Sequence, residues 1–104
     1  MQLIELKNIP NQVFNTTIND AQYRIQIRTM QNLTFLSVWK NEVILFHNQL
    51  CVPNEFINPY NYISTDGKFY FRCLDDEYPT YKQFGNTQYL LFLSNDEVNL
   101  YAEA

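Results

Sequence analysis

Apolar and polar residues alternate most regularly around Tyr23 to Arg28. Tyr23, Ile25 and Ile27 fall on one side, and Gln22, Arg24, Gln26 and Arg28 on the other. A period of two belongs to a strand with one buried and one wet face. Asn19-Asp20 precedes it, and both residues tolerate left-handed backbone and bond their own main chain. Val13–Ile18 and Ala21–Thr29 are therefore predicted to pair as a β-hairpin near the start of the chain.

The remaining chain reads as further short strands separated by turn chemistry. Gln31-Asn32 leads into Leu33–Trp39, which is rich in aromatic and β-branched residues. Lys40-Asn41-Glu42 turns it into Val43–Phe46, and His47-Asn48-Gln49 predicts another turn before Leu50-Cys51-Val52. Pro53 and Pro59 bracket a loop. Asp66-Gly67, between Tyr60–Ile63 and Lys68–Leu74, is the strongest hairpin signal in the chain. Asp75 to Phe84 contains Pro79 and an acidic run, which predicts a long surface loop. Gln88–Leu93 is apolar enough for burial on both faces. Met1–Leu6 is expected as an edge strand or an arm (residues 1–8), bordered by Pro10, which has no N–H to donate. Residues 95–104 form an acidic tail, a short helix or an arm.

Strands spaced about ten residues apart, with no amphipathic helix of three turns, predict an all-β fold. The expected architecture is a small antiparallel β-barrel or two-layer β-sandwich of about seven strands, since either limits exposed edges. At 104 residues, one domain is expected over 1–104. Gly67 and Gly85 are the only glycines, so Asn and Asp are expected at the turns Gly usually holds.

Composition narrows function mainly by exclusion. A net charge of −4, with seven scattered basic residues, argues against nucleic acid, whose binding needs phosphates neutralised. No apolar run approaches the length of a membrane helix, so no membrane insertion is expected. Met1–Glu5 lacks a basic start and a long apolar run, which implies a chain kept in a cytoplasm, with Cys51 and Cys73 reduced. The catalytic inventory is thin. His47 stands alone in a turn with no positioned partner. The two cysteines lack zinc-site spacing and read as small buried hydrophobes. Asp75-Asp76-Glu77 lacks the further oxygens and the Gly of a calcium loop. No enzyme activity, metal or cofactor is expected. Tyr78 and Tyr81, beside Pro79, have the rigid amphipathic character favoured at protein interfaces.

Taken in order, these segments resemble the small baseplate plug proteins of contractile-tailed phages. The likeness begins at Ile9-Pro10-Asn11-Gln12-Val13-Phe14, similar to the family's opening Pro-x-Gln-x-Phe, and continues through Tyr23–Arg28 and Trp39. It returns at Leu50-Cys51 and Asp66-Gly67-Lys68-Phe69-Tyr70-Phe71. It closes on Tyr78-Pro79-Thr80-Tyr81, Phe84-Gly85 and Tyr89–Leu93, so that it spans roughly residues 3 to 94. Pro10, Gln12, Phe14, Trp39, Asp66, Gly67, Pro79 and Gly85 carry the pattern, although the family is richer in glycine than this chain. The resemblance implies a non-enzymatic part of the virion, made in the host cytoplasm and placed in the baseplate. There it would close or join the central tail channel, beside hub, tail-tube and spike proteins and in several symmetric copies. Gln22, Arg24, Gln26 and Arg28, with Tyr78 and Tyr81, are the candidate partner contacts. The alternative from a different class is a small carbohydrate- or ligand-binding β-domain, motivated by the same tyrosines.

Overall fold

The structure, a computed structural model, describes residues 1–57 and 67–97. The described strands are β1 (Gln2–Ile4), β2 (Gln12–Ile18), β3 (Ala21–Met30), β4 (Leu33–Lys40), β5 (Val43–Leu50), β6 (Gly67–Cys73) and β7 (Gln88–Ser94). They form two antiparallel sheets, one in the order β2-β3-β4-β5 and the other β1-β7-β6. The expected all-β architecture therefore takes its sandwich-like form, not a closed barrel. Expectations for Pro59, Tyr60–Ile63, Asp66 and the tail beyond Glu97 lie outside the described residues.

The four-stranded sheet is a meander closed by three two-residue turns. Asn19-Asp20 joins Ile18 to Ala21, Gln31-Asn32 joins Met30 to Leu33, and Asn41-Glu42 joins Lys40 to Val43. All six turn residues have φ between 48° and 69°. Left-handed backbone at both central positions defines the type I′ turn, whose twist matches the twist of the strands it joins. Asn or Asp, expected in place of Gly, holds four of these six positions; Gln31 and Glu42 hold the other two.

One expected turn is absent. His47-Asn48-Gln49 lies inside β5, which runs unbroken to Leu50. The ladder instead absorbs extra residues. Val38 pairs with Phe46 but Leu36 with Gln49, and Trp39 pairs with Ile44, so β5 slips at two places against β4. Asn48 takes φ 49°, and the Ser37 hydroxyl accepts its N–H at 2.8 Å. That bond supplies the partner the ladder lacks at a bulge. Left-handed Asn thus marks a kink within a strand rather than a reversal of the chain.

Ile18, Tyr23, Ile25, Ile27, Leu36 and Val38 from one sheet meet Ile4, Phe69, Phe71, Leu90 and Phe92 from the other in a single buried cluster. The Phe69 and Phe92 rings sit 5.2 Å apart, edge to face, and Tyr23 packs against both. Cys51 and Cys73 are free and buried in the same core. Met1–Leu6 contributes β1, which pairs with β7 of its own sheet, Leu3 opposite Leu91. At the far end Ser94 and Glu97 bond reciprocally: the Ser94 N–H reaches the Glu97 carboxylate at 3.0 Å, and the Glu97 N–H reaches the Ser94 hydroxyl at 3.4 Å. This capping box opens a helical turn at residues 95–97.

A candidate interaction surface

Strand pairing brings the wet face of β3 into register with its neighbours. One row across the outer face of the four-stranded sheet runs Asn15, Arg24, Trp39, Ile44. The next places Val13 beside Gln26 and Gln26 beside Ser37, and a third joins Arg28, Phe35 and Leu50. The Arg24 guanidinium lies over the Trp39 ring, 4.5 Å from its centre. Such a contact is worth about 0.5–1 kcal/mol at an exposed site and fixes the orientation of both groups.

This face is not simply wet. Val13, Met30, Ile44 and Leu50 are exposed, and Phe35 and Trp39 are half-buried between the arginines. Among the strand residues of this sheet there is no carboxylate; Asp20 and Glu42 sit in the turns at its end. A chain of net charge −4 therefore turns a cationic, aromatic face outward. Arginine and aromatic residues together are the composition favoured at protein interfaces. Gln22 donates to the Thr17 hydroxyl at 3.2 Å, and Gln26 is half-buried in the middle of the face.

The two candidate loop tyrosines differ in exposure. Tyr78 is 48% exposed. Tyr81 is half-buried and packs against the core, and its carbonyl accepts Asn8 Nδ2 at 2.9 Å. Gln88, fully buried, fixes the loop between them. Its side-chain oxygen accepts the Thr80 N–H at 2.7 Å, and its amide donates to the Tyr78 carbonyl at 3.2 Å. Asp75 braces the same loop by accepting the Glu77 N–H at 3.1 Å and the Thr87 hydroxyl at 2.9 Å. These bonds hold its carboxyl below the ordinary range, the Glu77 N–H contributing most.

The residues that carry the sequence pattern are largely parts of the frame. Gln12 reaches back to the Lys7 N–H at 3.0 Å and the Lys7 carbonyl at 2.7 Å, so it clasps the loop before β2. Pro10 gives its carbonyl to the Thr29 hydroxyl at 2.7 Å. The buried Pro79 gives its carbonyl to Thr34 Oγ1 at 2.7 Å, tying the long loop to β4. Phe14 packs against the core. Gly85 turns at φ 79°, and Gly67 lies where a Cβ would come within 2.0 Å of the Leu93 carbonyl oxygen. Trp39 alone of the described ones belongs to the outer face.

His47 sits between Ser37 Oγ at 3.3 Å and Asn48 Nδ2 at 3.2 Å. Burial pushes the Cys51 thiol up, and burial followed by the nearby Asp75 charge pushes Cys73 up to about 11. Neither thiol is set up to ionise and act as a nucleophile near neutral pH. Among the described residues no cluster of His, Cys, Asp and Glu is arranged to hold a metal ion.

Phe35, Ile44 and Leu50 were not legible as surface residues, because β4 and β5 carry apolar side chains on both faces. The odd-numbered residues of β4 (Leu33, Phe35, Ser37, Trp39) share the outward side only once β3 fixes the register.

Comparison with known proteins adds one match. The model of a family described as "Cyanophage baseplate Pam3 plug gp18" matches residues 1–96. No curated protein matches the chain.

Proposed function

Because the chain belongs to this baseplate plug family, and is thus a structural component of a phage tail baseplate, we propose that it closes or joins the central tail channel by docking the outer face of the four-stranded sheet on another baseplate protein. The partners in this reading are the hub, tail-tube and spike proteins, with several copies of the chain arranged about the tail axis. The chain would be made in the host cytoplasm and taken up during assembly.

The observation that carries the reading is the face built on Arg24 and Trp39. It is cationic on an acidic chain, it is rich in exposed apolar groups, and its central guanidinium is pre-oriented by the ring beneath it. Desolvated Arg and Trp are the residues most often responsible for interface affinity. Charge on the partner would be negative, which steers encounter as well as register. Tyr78 adds an exposed ring in the loop between β6 and β7. The carbohydrate-binding alternative loses its paired platform, since Tyr81 turns toward the core.

Incorporation into baseplates tests this reading. Arg24→Glu combined with Arg28→Glu should keep the fold and lower the thermal midpoint by only about 2–5 °C, because both side chains are exposed and the Arg24–Trp39 contact is the interaction lost. Uptake into baseplates, or binding to recombinant hub and tube proteins, should fall by at least about tenfold, the scale of one lost hot-spot contact. Undiminished uptake of the folded double variant would remove the outer face from consideration.

A further inference from the structure

Among the described residues the two sheets have four edges, and three of them are closed. On one, β1 is three residues long. On another, β5 carries two bulge-like register slips against β4. The outer side of β6 is covered by the segment before it, where the Asn54 N–H bonds the Phe71 carbonyl at 2.8 Å and the Ile57 N–H bonds the Phe69 carbonyl at 2.9 Å. Short strands, bulges and covering segments are the usual means of stopping a sheet from adding strands. Among the described residues the fourth edge, β2, is met only at its ends, by Gln2 at the Thr17 carbonyl and by Lys7 at the Gln12 side chain, and its middle is left open. It runs seven residues, Gln12-Val13-Phe14-Asn15-Thr16-Thr17-Ile18, with no bulge, no proline and no charge.

Its register shows which groups are open. Ile18 and Ala21 close the two-residue turn, so the even-numbered residues of β2 bond to β3. The odd-numbered residues direct N–H and C=O away from the sheet. Thr17 confirms this, because its carbonyl accepts Gln2 Nε2 at 3.1 Å from outside. Among the described residues, Val13 and Asn15 have no such partner for their main-chain groups. Beside them lies a groove of about 430 Å³ whose apolar wall is Leu6, Ile9, Val13 and Phe14, with Glu5, Lys7 and Gln12 also lining it.

We infer that β2 is a strand-addition site, taking an extended segment of another baseplate protein alongside Val13 and Asn15. The groove sets the chemistry of that segment: it carries an apolar side chain toward Leu6 and Phe14. Its outward neighbour is uncharged or acidic, because Arg24 stands opposite Asn15 on the next strand. Main-chain bonds supply affinity in such complexes and the pocket supplies selectivity. A second copy of β2 is a poorer occupant. In its own fold Ile18 is fully buried and Phe14 packs into the core, so neither is free to fill a neighbour's groove. The inference rests on the reading of the chain as a baseplate component, and it assigns one partner contact within that reading.

The test uses baseplates isolated from particles carrying the full chain, compared with the free chain. Amide exchange at Val13 and Asn15 should slow by at least about 100-fold in the assembly, since new main-chain bonds must open before exchange. Asn15→Pro removes an N–H that β3 does not use, and Val13→Lys adds an edge charge at an exposed position. Both should keep the parent far-ultraviolet spectrum and lose uptake, while Asn15→Thr keeps it. Unchanged exchange together with normal uptake of Asn15→Pro and Val13→Lys overturns strand addition and leaves the baseplate role standing. A free chain that dimerises through β2, shown by a dimer mass that Asn15→Pro abolishes, also overturns it. Absence of the parent chain from isolated baseplates overturns both readings at once.

Discussion

Replacing Gln88 by leucine isolates the polar clasp that holds the loop presenting Tyr78. Gln88 is fully buried, and its side chain makes two short bonds, to the Thr80 N–H at 2.7 Å and the Tyr78 carbonyl at 3.2 Å. Leucine is of similar size, so little cavity is created and the loss is electrostatic. A buried group left without its partner costs about 1–3 kcal/mol, and here there are two. Half-burial of Thr80 allows water to recover part of this, which puts the loss at about 3 kcal/mol. Domains of this size are stable by about 5–15 kcal/mol, so the variant still folds. Unfolding entropy near 2.1 cal/mol/K per residue converts the loss to a fall in midpoint of about 14 °C. Scanning calorimetry measures the fall, and hydrogen exchange at Thr80 reports its cause. A fall below about 4 °C, with the Thr80 amide still protected, would refute the assignment of the clasp to Gln88.

Gly67→Ala should be severe. Its φ is 149°, and the added Cβ would meet the Leu93 carbonyl oxygen at 2.0 Å. Backbone strain and overpacking together predict a loss of about 3 kcal/mol or more, read by urea unfolding; a loss under about 1 kcal/mol would show that β6 can shift away from β7. Glu42→Gly should work in the opposite direction. Glu42 sits at φ 69° in a type I′ turn, where relief of left-handed strain outweighs the added freedom of the unfolded chain by about 0.5 kcal/mol. Its thermal midpoint should rise by about 2 °C. Asp75 predicts an acid limb. Its carboxyl is held low by the Glu77 N–H and then by Thr87 and Gln88, so its contribution is present above the ordinary value near about 3.9 and disappears as pH falls through the folded value. Between about pH 5 and pH 2, Asp75→Asn should therefore lose midpoint less steeply than the parent chain. Parallel pH profiles would count against that role.

Local chemistry made the meander legible. Alternation placed Ile25 and Ile27 inside and Arg24 and Arg28 outside, and Asn19-Asp20, Gln31-Asn32 and Asn41-Glu42 all became turns. The same rule failed at Asn48. Left-handed Asn serves a turn or a bulge equally well, and only the Ser37 hydroxyl across the ladder decides between them. Trp39 was visible as a ring in a strand, but its place under Arg24 depends on a pairing that sequence does not record. Gln88 looked like the polar start of an apolar strand. Its burial follows from a loop whose carbonyl and N–H groups converge on it. The unprotected edge of β2 was hidden for a more general reason. An edge is a property of sheet order, and no residue of Gln12–Ile18 announces whether its outer neighbour is a strand or solvent.

The central claim is that the chain meets its baseplate partner through the outer face of the four-stranded sheet. A photo-crosslinking amino acid at Gln26, in the middle of that face, tests it in assembled baseplates, with the same group at Lys82 on the loop side as reference. The account predicts that irradiation joins position 26 to a different baseplate protein, in a yield well above that from position 82. A position 26 that gives no cross-link in baseplates containing the chain, while position 82 does, would contradict it.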